Sequence, residues 1–121
     1  MPETGDNVAK DFGITREQAD EFALASQQNY AKAEKEGFYK GEIHPFALPA
    51  KKKDAPPTMV DADEHPRRDS AMEQLAKLKP LFEGGVVTAG NASGVNDGAA
   101  ALVVASRRWG EKRGKKPIAK I

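Results

Sequence analysis

The 121-residue chain contains no cysteine and two histidines, His44 and His65. Without a thiol it can form neither a disulfide nor a thiolate nucleophile. A serine can replace a thiolate only where a base activates it, and Ser93 has no candidate base close by in sequence. Asp61, Asp63, Glu64 and His65 supply metal-ligand side chains. One short run cannot aim all four at a single ion, and no second cluster closes the shell, so this segment reads as a solvated turn. What remains is binding chemistry. Residues 86–101, VVTAGNASGVNDGAAA, place glycines among short polar side chains and run into Leu102, Val103 and Val104. Glycine lets main-chain amides and carbonyls approach a neighbouring surface closely. Arg67, beside Asp63 and Glu64, reads by itself as an exposed ion pair of small worth. Ser93 by itself is a turn or cap hydroxyl, and Asn96 and Asp97 read as a turn closed on its own backbone.

The elements that must position these residues are legible in outline. Val8 and Phe12 lie one turn apart in a short helix over residues 4–12, stopped by Gly13. Thr15 and Gln18 form a capping box. The helix behind it carries Ala19, Phe22, Ala23, Ser26, Tyr30 and Ala33 on one face and ends at Gly37. Residues 38–48 hold strand-like patches, with Pro45 and Pro49 favouring an edge position. Residues 51–57 form a polar turn or exposed loop, and residues 58–60 a short strand. Ser70 with Glu73 reads as a second capping box, opening a helix with Met72, Leu75 and Ala76 that Pro80 stops. Residues 99–105, apolar on both faces, are a buried-strand candidate. A weak helix follows over 106–114, with Gly110 costing it about 1 kcal/mol, and residues 117–121 look like the start of another strand.

Composition bounds these readings. Leu, Ile, Val and Phe together make 22 of the 121 residues, so the core is thin for the length. No apolar run approaches a membrane span, and the start does not resemble a signal peptide, so a soluble cytoplasmic chain is expected. Net charge is +1 overall, but residues 105–121 carry seven basic side chains against Glu111 alone. A basic tail can bind nucleic acid. With Trp109 as its only aromatic residue, it reads more simply as a solvated helix end.

The order of motifs resembles the thiolase family, whose members transfer or cleave acyl groups on coenzyme A. Residues 1–9, MPETGDNVA, are similar to a family segment of the form MGxTAENVA, with Pro2 and Gly5 departing from it. Residues 14–27 are similar to the loop-domain helix. Glu42, Ile43 and Pro45, then residues 63–67 (DEHPR), then 75–82 (LAKLKPLF), follow in family order. The string from Gly90 to Ala101 is the most specific block.

The resemblance implies an α/β, thiolase-like fold truncated at both ends. An α+β loop domain that binds coenzyme A would cover residues 1–96. The last strand and helix of the N-terminal domain would cover 97–114, and the start of the C-terminal domain 115–121. It implies coenzyme A contacts at Arg67 (adenine and phosphates), Ala89 and Gly90 (backbone lining), Ser93 (pantetheine arm) and Met1 (acyl pocket). The family's nucleophilic cysteine, its Gly-His-Pro histidine and its second cysteine have no counterpart here, so no catalytic residue, metal or resident cofactor is expected. The ligand would be coenzyme A or an acyl-CoA, the family partner a second copy in a homo-oligomer, and this chain would tend to self-associate. No nucleic-acid or membrane partner is expected. A module derived from a thiolase that binds coenzyme A or a partner without catalysis is the alternative.

Overall fold

The computed structural model describes residues 1–50 and 56–121. Most of the turn expected at 51–57 therefore lies outside the described residues. The first helix, α1 (Pro2–Phe12), begins with proline at its first turn, where the missing N–H costs nothing, and carries Glu3 early and Lys10 late, as its dipole favours. Gly13 closes it at φ 64°, and the amide of Ile14 returns to the carbonyl of Ala9 at 2.8 Å.

Helix α2 (Arg16–Lys35) opens with the expected capping box: Gln18 N donates to Thr15 Oγ1 at 3.2 Å, and Thr15 N donates to Gln18 Oε1 at 2.9 Å. Gly37, at φ 77°, turns the chain into a 3-10 segment, Phe38–Gly41. The inward face of α2 matches the expected one in part: Ala19, Ala23, Tyr30 and Ala33 are half-buried. Phe22 is 80% exposed, Ser26 is also exposed, and Asp20 is 2% exposed. An apolar periodicity cannot anticipate a buried carboxylate, which here is admitted because Arg16 and Asn91 hold it.

Strands β1 (Phe46–Leu48) and β2 (Thr58–Val60) pair antiparallel, Phe46 opposite Val60 and Leu48 opposite Thr58. The rest of the expected strand-like stretch is 3-10 helix and irregular chain. Helix α3 (Met72–Ala76) starts at Ala71 and not at Ser70. The side chain of Gln74 accepts from Ala71 N at 3.1 Å, but alanine has no oxygen to reciprocate, so the cap is one-sided. Ser70 instead donates its hydroxyl to the carbonyl of Arg67 at 2.7 Å. Helix α4 (Arg107–Lys112) is capped by Ser106, whose hydroxyl accepts from Trp109 N at 3.3 Å, and Arg113 lies 4.2 Å from the Trp109 ring centre.

The core is small. Ala9 and Leu75 are the buried apolar residues among those described, with Thr88 and Asp20 buried beside them. The buried strand expected at 99–105 is not formed: Leu102, Val103 and Val104 are 86%, 93% and 74% exposed. A strand needs a neighbour, and among the described residues the sheet consists of β1 and β2, each satisfied by the other. Residues 117–121 likewise form no strand, and Ile118 and Ile121 are fully exposed. Among the described residues no helix is long and apolar enough to cross a membrane.

Candidate functional site

The glycine-rich string is held from two sides before it reaches Ser93. Asp6 on α1 accepts the amides of Val86 and Val87 on one oxygen, at 2.8 and 3.0 Å. The isolated bridge between Pro80 and Thr88, with Leu81 N donating to Val87 O at 2.8 Å, lays this entry strand against the chain leaving α3. Thr88 is fully buried. Its hydroxyl accepts from Gly90 N at 3.1 Å and its carbonyl from Ala92 N at 2.9 Å, giving a tight turn at Ala89 and Gly90.

Asn91 closes the turn. Its Oδ1 accepts from Thr88 N at 2.7 Å, and its Nδ2 donates to Val86 O and to Asp20 Oδ1, both at 2.9 Å. Asp20 receives Arg16 Nε on its other oxygen at 2.7 Å, and Arg16 Nη2 donates to the carbonyls of Leu75 and Leu78 at 2.8 and 2.9 Å. One arginine thus satisfies the end of α3 and a buried carboxylate together.

Two glycines of the string are required by the chain's own packing. A Cβ on Gly90 would lie 2.5 Å from Leu78 Cδ1 and 2.6 Å from Leu75 Cδ2. A Cβ on Gly94 would lie 2.7 Å from His65 Cε1. The second contact sets the loop bearing His65 and Arg67 directly against the loop bearing Ser93.

The expected contact residues fall as follows. Arg67 is exposed, its own amide donating to Gln27 Oε1 at 2.8 Å. Its Nη1 reaches the carbonyls of Glu64 and His65 at 3.1 and 3.4 Å, and among the described residues its other guanidinium nitrogens make no hydrogen bond. The ion pair expected with Asp63 or Glu64 does not form. Arg68 is the pairing arginine, forked onto both carboxylate oxygens of Glu34. Ala89 and Ser93 are exposed at the tip of the string, and Gly90 is half-buried. Met1 is 81% exposed, one turn of α1 from Gly5, which packs against Val87. Asn96 and Asp97 are exposed and, among the described residues, do not bond their own backbone; Asn91 takes that role.

Beside this site, the Tyr30 hydroxyl donates to Asp63 Oδ2 at 3.0 Å, and its ring stacks on Tyr39 at 5.0 Å between centres. Desolvation, and then the hydrogen bond and charge of Asp63, push the Tyr30 phenol above its ordinary range. The Arg68 hydrogen bond holds the Glu34 carboxyl below the usual carboxylate range, against a smaller opposing effect of desolvation. Two open clefts lie elsewhere, one of about 450 Å³ between Tyr39, His44 and Val60, the other of about 550 Å³ between α1 and residues 82–86. Neither is lined by Met1, Arg67, Ala89, Gly90 or Ser93. Of the expected contact residues, Met1, Arg67, Ala89 and Ser93 are exposed and Gly90 is half-buried.

Of the residues that hold the loop, Thr88 and Asn91 belong to the string itself, whereas Asp6, Arg16 and Asp20 reach it from α1 and α2. The Arg16–Asp20 spacing of one helical turn was the available signal for that pair.

The chain belongs to the thiolase family: the thiolase N-terminal domain matches residues 1–108. Over the whole chain it is 51% identical to a β-ketoadipyl-CoA thiolase of Pseudomonas aeruginosa and 48% identical to an acetyl-CoA acetyltransferase of Allochromatium vinosum. It spans 30% of the length of each. The fold is similar to that of the Bacillus anthracis acetyl-CoA acetyltransferase, with a TM-score of 0.79 and 42% identity over 97% of this chain and 29% of that one. The Syntrophomonas wolfei acetyl-CoA acetyltransferase is similar at a TM-score of 0.71 and 42% identity, over 94% of this chain and 28% of that one.

Proposed function

We propose that this chain supplies the coenzyme A contacts of a thiolase-type acyl-CoA C-acyltransferase. The reaction would move an acetyl group between acetyl-CoA and an acyl-CoA, or cleave a 3-ketoacyl-CoA with coenzyme A. Residues 1–96 serve as the coenzyme A-binding loop unit, 97–114 as the closing strand and helix of the N-terminal domain, and 115–121 as the entry to the next domain.

The observation that carries the reading is the contact of His65 with Gly94, which brings Arg67 and Ser93 onto adjoining exposed loops. Coenzyme A has a polyanionic adenine nucleotide at one end and an arm with two amides leading to its sulfur. Arg67, with guanidinium nitrogens left over from Nη1, takes the phosphate or adenine end. The Ser93 hydroxyl meets an amide of the arm. Ala89 meets it through its main chain and Gly90 through its carbonyl, because the Gly90 amide is already given to Thr88. Met1 adds apolar surface toward the acyl group.

Acyl transfer through a covalent intermediate needs a nucleophile, a base and an oxyanion hole. With no cysteine in this chain, its part is binding and orientation. Saturation-transfer NMR with coenzyme A and the full chain tests the reading, with transfer expected to both adenine and pantetheine protons. Transfer to neither, or turnover of acetoacetyl-CoA by the purified chain above background, contradicts it.

A further inference from the structure

The carboxamide of Asn91 makes three hydrogen bonds, and they hold three different things. Acceptance from Thr88 N and donation to Val86 O close residues 86–91 on themselves. Donation to Asp20 Oδ1 ties that closed turn to α2. The orientation of the amide is dictated: turned over, its oxygen would face the Asp20 carboxylate and the Val86 carbonyl, and its NH2 would face the Thr88 amide. Both Nδ2 hydrogens are committed within the protein, so Asn91 has no donor left for a ligand. Asp20 is itself immobilised by Arg16, which reaches on to the carbonyls of Leu75 and Leu78.

The chain Arg16–Asp20–Asn91 therefore ends one residue after Gly90 and two before Ser93. We infer that Asn91, locked by the Arg16–Asp20 pair, is a positioning residue for coenzyme A, fixing the height and direction of the tip that carries Ala89, Gly90 and Ser93. The inference rests on the coenzyme A reading above. It adds that the tip is organised before ligand arrives, so that little ordering remains to oppose binding.

The test is Asn91→Asp, which keeps the shape, removes the donors facing Asp20 and Val86, and sets a second carboxylate against the buried Asp20. Coenzyme A affinity, read by calorimetry, is expected to fall about tenfold, the order set by losing a hydrogen bond and leaving its partner buried. Amides of residues 88–93 are expected to exchange faster while those of α1 and α2 are unchanged. Ser93→Ala is expected to weaken binding in the native chain and to have no further effect in Asn91→Asp, because a misplaced hydroxyl has nothing left to lose. Adding Asp20→Asn to Asn91→Asp returns a donor to the 20–91 contact and is expected to recover part of the affinity. A Ser93→Ala effect of equal size in both backgrounds overturns the inference, since a merely structural Asn91 would leave it intact. If the native chain binds no coenzyme A, the functional reading fails by itself. Amide exchange still decides the position of the tip, and unchanged exchange at 88–93 in Asn91→Asp overturns it.

Discussion

Asp6 and Val86, 80 residues apart in the chain, are joined by a 2.8 Å hydrogen bond from the valine amide to the aspartate carboxylate. The same oxygen also accepts the Val87 amide, so one side chain near the N-terminus holds the entrance of the glycine-rich loop. Asp6→Ala leaves both amides without that acceptor and is expected to destabilise the chain by about 1–3 kcal/mol. Urea denaturation followed by circular dichroism checks this, and an unchanged midpoint would contradict it.

Gly90 and Gly98 belong to the same string but should respond oppositely to alanine. Gly90→Ala drives a methyl into Leu75 and Leu78 and is expected to cost about 1–3 kcal/mol. At Gly98 nothing stands within 4 Å of the added carbon, and the change is expected to stay within about 0.5 kcal/mol. Comparison of the two melting temperatures is decisive. Equal shifts would show that the string is not packed as described.

Gly90 and Gly94 mark how much of the site is legible in the sequence. The string stood out because glycine permits close approach, but sequence does not say what approaches. At Gly90 and Gly94 it is the chain's own Leu75, Leu78 and His65. Local signals were sound where the cause is local: the Thr15–Gln18 capping box, the stops at Gly13 and Gly37 and the strand at Thr58–Val60 all form. On α2 the apolar periodicity places Ala19, Ala23, Tyr30 and Ala33 on the packed side but does not find its fully buried member, the Asp20 carboxylate, whose partner Asn91 lies 71 residues away. Residues 99–105 read as a buried strand from their apolar character, but pairing depends on neighbours that a local pattern does not contain. The thiolase resemblance singles out Arg67 and Ser93, whereas the contact that sets their two loops side by side, His65 against Gly94, is tertiary.

The Glu34–Arg68 pair gives a pH dependence of known sign. Because the folded Glu34 carboxyl titrates below its ordinary range, its contribution to stability is present above that range and is lost as pH falls through the lowered value. Glu34→Gln is therefore expected to lower the melting temperature at neutral pH and to flatten its fall on acidification. Parallel curves for the two proteins would contradict this.

Val95, Leu102 and Val103 are 98%, 86% and 93% exposed. An apolar segment without a partner favours association. The average mass by sedimentation is expected to rise with concentration, and Val103→Lys to reduce that rise. A strictly monomeric native chain would contradict the expectation.

The central claim is that Arg67 and Ser93 hold opposite parts of one coenzyme A. Calorimetric titration of coenzyme A into the native chain, Arg67→Ala and Ser93→Ala tests it most directly. Binding is expected to be weak, weakened further by either substitution, and more by Arg67→Ala, since a charge-assisted contact is roughly twice as strong as a neutral one. Added salt should weaken the native chain and leave Arg67→Ala less affected. Equal affinity of native chain and Arg67→Ala, or affinity indifferent to salt, would contradict the account.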